Sequence, residues 1–216
     1  MSKNRRTAKA VARPSPTPGI VYLTEYEITS EPIQDARYKR LPRHVKDAIE
    51  RLHTLSQTRP REAIPELLQL IEQYPNMPML YNYLSVAYSL AGDREKAEQT
   101  ALMNYQRNPD YLFARLNYAE ICLANRDYSA VSEILDHKFD LKMLYPKRKR
   151  FHVSEFAGFM GIVGVYFVET GERDAAEKIY DVLHQVAPDH ALTNRLREKL
   201  YPTLFQRLVN RIANQP

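Results

Sequence analysis

A single cysteine, Cys122, stands in a chain of 216 residues, so no intrachain disulfide can form. That usage points to a reducing compartment: cytoplasmic, with nuclear or organellar targeting as the alternatives. Long apolar runs are missing as well. The longest without a charge extends only from Phe156 to Val168, whereas a spanning helix needs about 20 residues; it reads as a buried helix, and no membrane span is expected. There is no secretory signal pattern, because the basic start runs into Pro14, Pro16 and Pro18 where an apolar core would be needed. The six histidines, His44, His53, His137, His152, His184 and His190, show no paired metal spacing. Nucleophile elbow and phosphate loop are both lacking. Neither an enzyme nor a bound metal or cofactor is therefore expected.

Acidic residues are absent from 1–19, which also hold no aromatic. Such a stretch cannot bury enough apolar surface to offset its ordering entropy, and it is read as a disordered basic leader. Its arginines would also suit an organellar transit peptide, although the prolines confine any amphipathic helix to the first dozen residues. Residues 1–43 carry nine Lys/Arg against four Asp/Glu, and 44–216 carry 22 of each, so the formal charge of +5 lies in the leader and its linker. Residues 20–41 read as an extended segment and linker: Ile20, Tyr22, Tyr26 and Ile28 alternate at a period of two. No second strand is evident nearby, so this segment should lie against helices or meet a partner's edge.

From 42 onward a period emerges. Ala63 and Pro75 recur as Ala97 and Pro109, a displacement of about 34 residues, which lies in the range that marks a repeat architecture. Gly92, Ala97 and Pro109 recur in turn as Gly171, Ala176 and Pro188. This second interval is two periods plus an insertion, near 137–152. Hairpins of two amphipathic helices are expected at about 42–74, 81–109, 111–136 and 153–187. Leu192, Leu196 and Leu200 mark a further helix, and Leu204 to Ile212 a last one, both suited to capping an open end. In the third hairpin Arg126 stands where the turn glycine should be and Val131 where the small residue should be.

The series Tyr81, Leu84, Ser85, Tyr88, Gly92, Ala97 and Pro109 resembles the tetratricopeptide repeat family, and the resemblance covers residues 42 to 190. It implies an all-α, right-handed solenoid over 42–216 whose first helices line a concave groove, and a protein-binding adaptor or scaffold as the function. On that face the groove residues would be Asn82, Val86 and Ser89 in the second hairpin, Phe113, Leu116 and Glu120 in the third, and Gly158, Gly161 and Val165 in the fourth. One subgroup of the family grips the carboxylate tail of heat-shock chaperones with cationic side chains. The matching positions here are Ala48, Leu52, Tyr83, Phe113 and Asn117, or one hairpin on, Asn82, Val86, Asn117, Gly158 and Ile162; neither set supplies a cation, and a chaperone tail is not expected.

Gly158 and Gly161 weaken a helix by about 1 kcal/mol each relative to alanine. They should either serve close helix packing or leave room for a partner's peptide or for the chain's own segment 20–28, while Gly164 should serve close helix packing. Lys147, Arg148, Lys149 and Arg150 form a basic patch. It resembles a short nuclear import signal, and it could select a protein partner with acidic flanks or, together with the leader, contact nucleic-acid phosphates. Most tyrosines, among them Tyr81, Tyr88, Tyr118 and Tyr180, sit at apolar repeat positions and belong to the core.

Overall fold

The computed structural model describes residues 26–203. The readings of the leader 1–19, of residues 20–25 and of the last helix after 203 lie outside the described residues. What is described is mostly helical, with eleven helices and two three-residue strands. By compactness the described chain gathers into two units, residues 33–134 and residues 26–32 together with 135–203.

In the 33–134 unit, a four-residue helix α1 (Ala36–Lys39) precedes three hairpins: α2 (Arg43–Thr58) with α3 (Pro60–Gln73), α4 (Pro78–Ala91) with α5 (Arg94–Arg107), and α6 (Leu112–Ala124) with α7 (Tyr128–Ile134). The buried stripe of α2, Val45, Ile49, Leu52 and Leu55, follows helical spacing and meets Ala63 and Leu67 of α3 and Leu80 and Leu84 of α4 in one core. Helices α3 and α4 each open on a proline, whose missing N–H would have had no partner there. The residues at the period's small position lie inside, valine included: Ala63 and Val131 are fully buried and Ala97 is 5% exposed. At Ala97 the approach of α4 to α5 is close enough for the Ser85 hydroxyl to donate to the Ala97 carbonyl at 2.9 Å.

The hairpin turns explain the recurring glycine. Gly92, at φ +88°, follows α4, with its N–H on the Ser89 carbonyl and the next N–H, of Asp93, on the Tyr88 carbonyl at 2.9 Å. This pairing satisfies the last helical carbonyls and requires a left-handed residue. Arg126, one period on, adopts φ +61° and makes the same two bonds, from Arg126 N–H to Leu123 and from Asp127 N–H to Cys122. The turn geometry of the repeat is kept without its glycine. Asp93 and Asp127 then begin the second helices by accepting the N–H groups of Lys96 and Ala130 at 3.2 and 3.1 Å.

The second unit holds β1 (Glu27–Thr29), α8 (Leu141–Leu144), β2 (Arg150–His152), α9 (Val153–Glu169), α10 (Arg173–Val186) and α11 (Ala191–Leu200). Gly171, at φ +90°, closes α9 with the same double bond, from Gly171 N–H to Val168 and from Glu172 N–H to Phe167. One expectation is corrected here: the segment ending at Ile28 does find a strand. β1 pairs in parallel with β2, Ile28 opposite Phe151, at the end of the basic run. Phe151 is fully buried, with the Tyr26 ring edge-on at 5.2 Å and Tyr145 at 6.3 Å. Helix α9 starts at a reciprocal cap, His152 accepting from Ser154 N–H while Glu155 accepts from His152 N–H.

Candidate functional site

The sequence reading divides between the two units, and each part has its own geometry. In the 26–32 and 135–203 unit, Gly158, Gly161 and Val165 are all buried on α9. A Cβ placed on Gly161 would come closer than 3.0 Å to Leu192 Cβ, with Leu192 Cδ1 at 3.2 Å; one on Gly164 would meet Leu196 Cδ2 at 2.5 Å and Ile179 Cγ2 at 3.1 Å. Leu192 and Leu196, one turn apart on α11, thus lie over Gly161 and Gly164. The space that Gly161 leaves is filled by α11, neither by an open groove nor by the segment ending at Ile28, whose Tyr26 ring instead meets Phe156 at 6.3 Å.

The basic patch is also largely committed. Arg148 donates to both carboxylate oxygens of Glu155, at 3.0 and 2.7 Å, and its guanidinium lies 4.2 Å over the Phe151 ring. A bidentate pair stacked on an aromatic face is the strongest fixed use of an arginine. Arg150 meets Glu27 at 3.1 Å and Glu31 at 3.6 Å, with half of its side chain exposed. Lys147 and Lys149 are exposed. The four residues therefore point to two tasks, with Arg148 and Arg150 holding β2 to its neighbours.

In the 33–134 unit the first helices α2, α4 and α6 share a face, and part of it is occupied by the chain's own linker. Tyr38 of α1, 8% exposed, joins the core of the first hairpin, donates its hydroxyl to Glu50 of α2 at 2.8 Å and takes the Lys46 ammonium over its ring at 5.8 Å. Burial, then the hydrogen bond to Glu50, pushes the Tyr38 phenol up to about 12. Arg37 is fixed by Asp35 at 2.7 Å, which holds that carboxyl below its usual range, and reaches Asn108 at 3.1 Å. From Asn108 a polar chain runs inward: Asn108 donates to Asn104 at 3.0 Å, and the fully buried Asn104 donates to Asn82 at 2.7 Å and to the Pro78 carbonyl at 3.0 Å. Asn82, read from the sequence as a groove residue, is thereby tied to α5. Phe113 lies edge-on to Tyr111 at 5.9 Å, and Leu116 is 4% exposed.

Beyond the linker, the same face opens. A cleft of about 440 Å³ lies over α5 between α4 and α6, lined by Val86 and Ser89, by Ala97, and by Asn117, Glu120 and Ile121 among others. It gathers three of the six groove residues expected in this unit, Val86, Ser89 and Glu120. At its edge Arg94 is held by Glu98 at 2.9 Å and by Asn125. A second cleft of about 360 Å³, between α5 and α6, shares Glu98 and Ile121 with the first and adds Glu95, Tyr118, Cys122 and Asp127. Burial, with the Asp127 charge behind it, pushes the Cys122 thiol up, which favours the neutral form of this 5% exposed side chain. A volume of this size is in the range of a small-ligand pocket and admits side chains of a short peptide.

What the sequence could not announce is that Arg94 and Glu98 border this cleft, beside Asn117, which the repeat resemblance had already set at a groove position: the period marks Ala97 and Gly92, and only the packing of α6 beside α4 assigns their neighbours. Among the described residues no helix is long and apolar enough to cross a membrane. No protein-family model matches the chain, and neither a curated protein nor a solved structure matches it significantly.

Proposed function

We propose that this protein is a non-catalytic adaptor that holds a short peptide or helix of a partner protein, and that the three hairpins of the 33–134 unit stack as a right-handed solenoid of the tetratricopeptide type. The observation that carries the reading is the cleft between α4 and α6, which opens on the first-helix face and gathers Val86, Ser89 and Glu120. Val86 is 38% exposed and Leu90, one turn along the same helix, 57%. An apolar ridge beside a concave, partly polar cleft is the usual setting for peptide anchors, in which a few buried side chains supply affinity and polar neighbours fix register. The chain's own linker binds the adjoining part of this face through a tyrosine anchor and polar flanks, so the surface is chemically suited to a peptide.

The test is a selection of random dodecapeptides on the full chain, repeated on Ser89→Trp, which fills the cleft with an uncharged side chain at an exposed position. Peptides retained by the parent protein and lost by the variant support the reading. Peptides that bind both equally, or none at all, overturn it.

A further inference from the structure

We infer that the cleft between α4 and α6 is built to receive a basic side chain, lysine or arginine, of the bound peptide; this rests on the adaptor reading and reverses the expectation of an acidic partner. That expectation came from Lys147 to Arg150, two of whose cations are committed to Glu155, Glu27 and Glu31. The lining of the cleft points the other way.

Its charged residues are Glu98, Glu120 and Arg94; Arg94 and Glu98 pair with one another, Arg94 also meeting Asn125, so the lining carries one net negative charge. The adjoining cleft adds Glu95 and Asp127 and no cation, so four carboxylates and one guanidinium border the pair. From 78 to 134 the sequence holds seven Asp/Glu and five Lys/Arg, so the wider surface carries the same sign. Charge by itself would attract any cation. The shape adds selectivity: Val86, Ala97, Ile121 and Ala124 make apolar walls, and the carboxylates stand among them. A lysine or arginine matches that arrangement, laying its methylene stem along apolar wall while the charged head reaches a carboxylate or the Asn117 amide. A glutamate or aspartate of a partner would be placed against the excess of carboxylates, where like charge works against binding.

The experiment extends the dodecapeptide selection. Peptides that depend on the open cleft, bound by the parent and lost in Ser89→Trp, are sequenced, and their affinities are measured on the parent, Glu120→Gln, Glu120→Lys and Glu72→Lys. Glu72 is an exposed glutamate on α3 that does not line the cleft, so its replacement makes the same change in net charge elsewhere. The expected result is enrichment of lysine and arginine in these peptides, with affinity falling roughly tenfold in Glu120→Lys, less in Glu120→Gln, and staying within about twofold in Glu72→Lys. Circular dichroism of each variant verifies that it is folded. Cleft-dependent peptides that are neutral or acidic, or whose binding ignores Glu120, overturn the basic side chain and leave the adaptor reading standing. If no peptide depends on Ser89, the adaptor reading falls, and this inference with it.

Discussion

Replacing Gly161 by alanine separates an open groove from a covered one by the sign of the effect. On an open helix face the change raises helix propensity and should stabilise by about 1 kcal/mol. Here the new Cβ would lie closer than 3.0 Å to Leu192 Cβ, well inside the roughly 3.5 to 4.0 Å at which carbon atoms attract. Leu192 Cβ is fixed to the backbone of α11, so no rotamer change can relieve the clash and the two helices must move apart. Overpacking of this kind costs about 1 to 3 kcal/mol, which exceeds the propensity gain. The expected outcome is a net loss of about 1 kcal/mol in urea denaturation followed by circular dichroism, with faster hydrogen exchange in α9 and α11. Leu192→Ala keeps the offending Cβ and should not rescue the variant; Leu192→Gly should relieve the clash. Gly164→Ala should cost less, because its first obstacle is Leu196 Cδ2, the end of a side chain that can turn about its own bonds, and not an atom fixed to the backbone. A Gly161→Ala protein more stable than the parent would refute the packing of α11 on α9.

Other consequences are equally direct. Gly92→Ala meets no neighbour within 4 Å, so its expected destabilisation of about 1 kcal/mol is the left-handed backbone alone. Arg126→Gly relieves the same strain and should be neutral to slightly stabilising, and a loss above about 1 kcal/mol would contradict the shared turn geometry. Asn104→Ala leaves the Asn82 oxygen and an Asn108 amide hydrogen without their partner and should cost about 2 to 3 kcal/mol; thermal melting unchanged from the parent would dismiss the polar chain as a stabilising element. For Tyr38, the folded-state pKa lies above the unfolded value of about 10, so its contribution is complete below pH 10 and is lost as pH rises toward about 12. Tyr38→Phe should flatten the fall of stability across that window, and an unchanged pH profile would remove Tyr38 from the account.

The helices were legible because the pattern that marks them is local. Ala63, Ala97 and Val131 recur at the repeat period and all lie buried in their hairpins, while Gly92, Arg126 and Gly171 share one left-handed turn. Arg126 shows why the period outlasts its motif: the N–H groups of Arg126 and Asp127 make the two bonds of the turn with an arginine at the left-handed position. β2 was hidden because three residues are too few to display a period of two, and because its partner β1 lies before the first hairpin, far back along the chain. The burial of Gly161 depends on the register of α11, which sequence spacing does not set. The pairing of Arg148 with Glu155 was equally invisible, since a run of four cations reads as a surface patch until the helix start that receives one of them is in place. For the site, the resemblance to the tetratricopeptide repeat implied that Val86, Ser89 and Glu120 share one face; that Asn82 turns inward to Asn104, and that the linker's Tyr38 covers the adjoining surface, are tertiary facts.

The central claim is that the first-helix face of the 33–134 unit binds peptide, and site-specific photocrosslinking tests it most directly. A photoreactive phenylalanine analogue is placed at Val86, beside the cleft, and in a second protein at Leu68 of α3, which is 43% exposed against 38% for Val86 and lines no part of the cleft. Each is irradiated with the tightest peptide from the selection. The account predicts covalent capture at Val86, abolished by excess unlabelled peptide, and none above background at Leu68. Equal capture at the two positions, or capture at Leu68 alone, would contradict it.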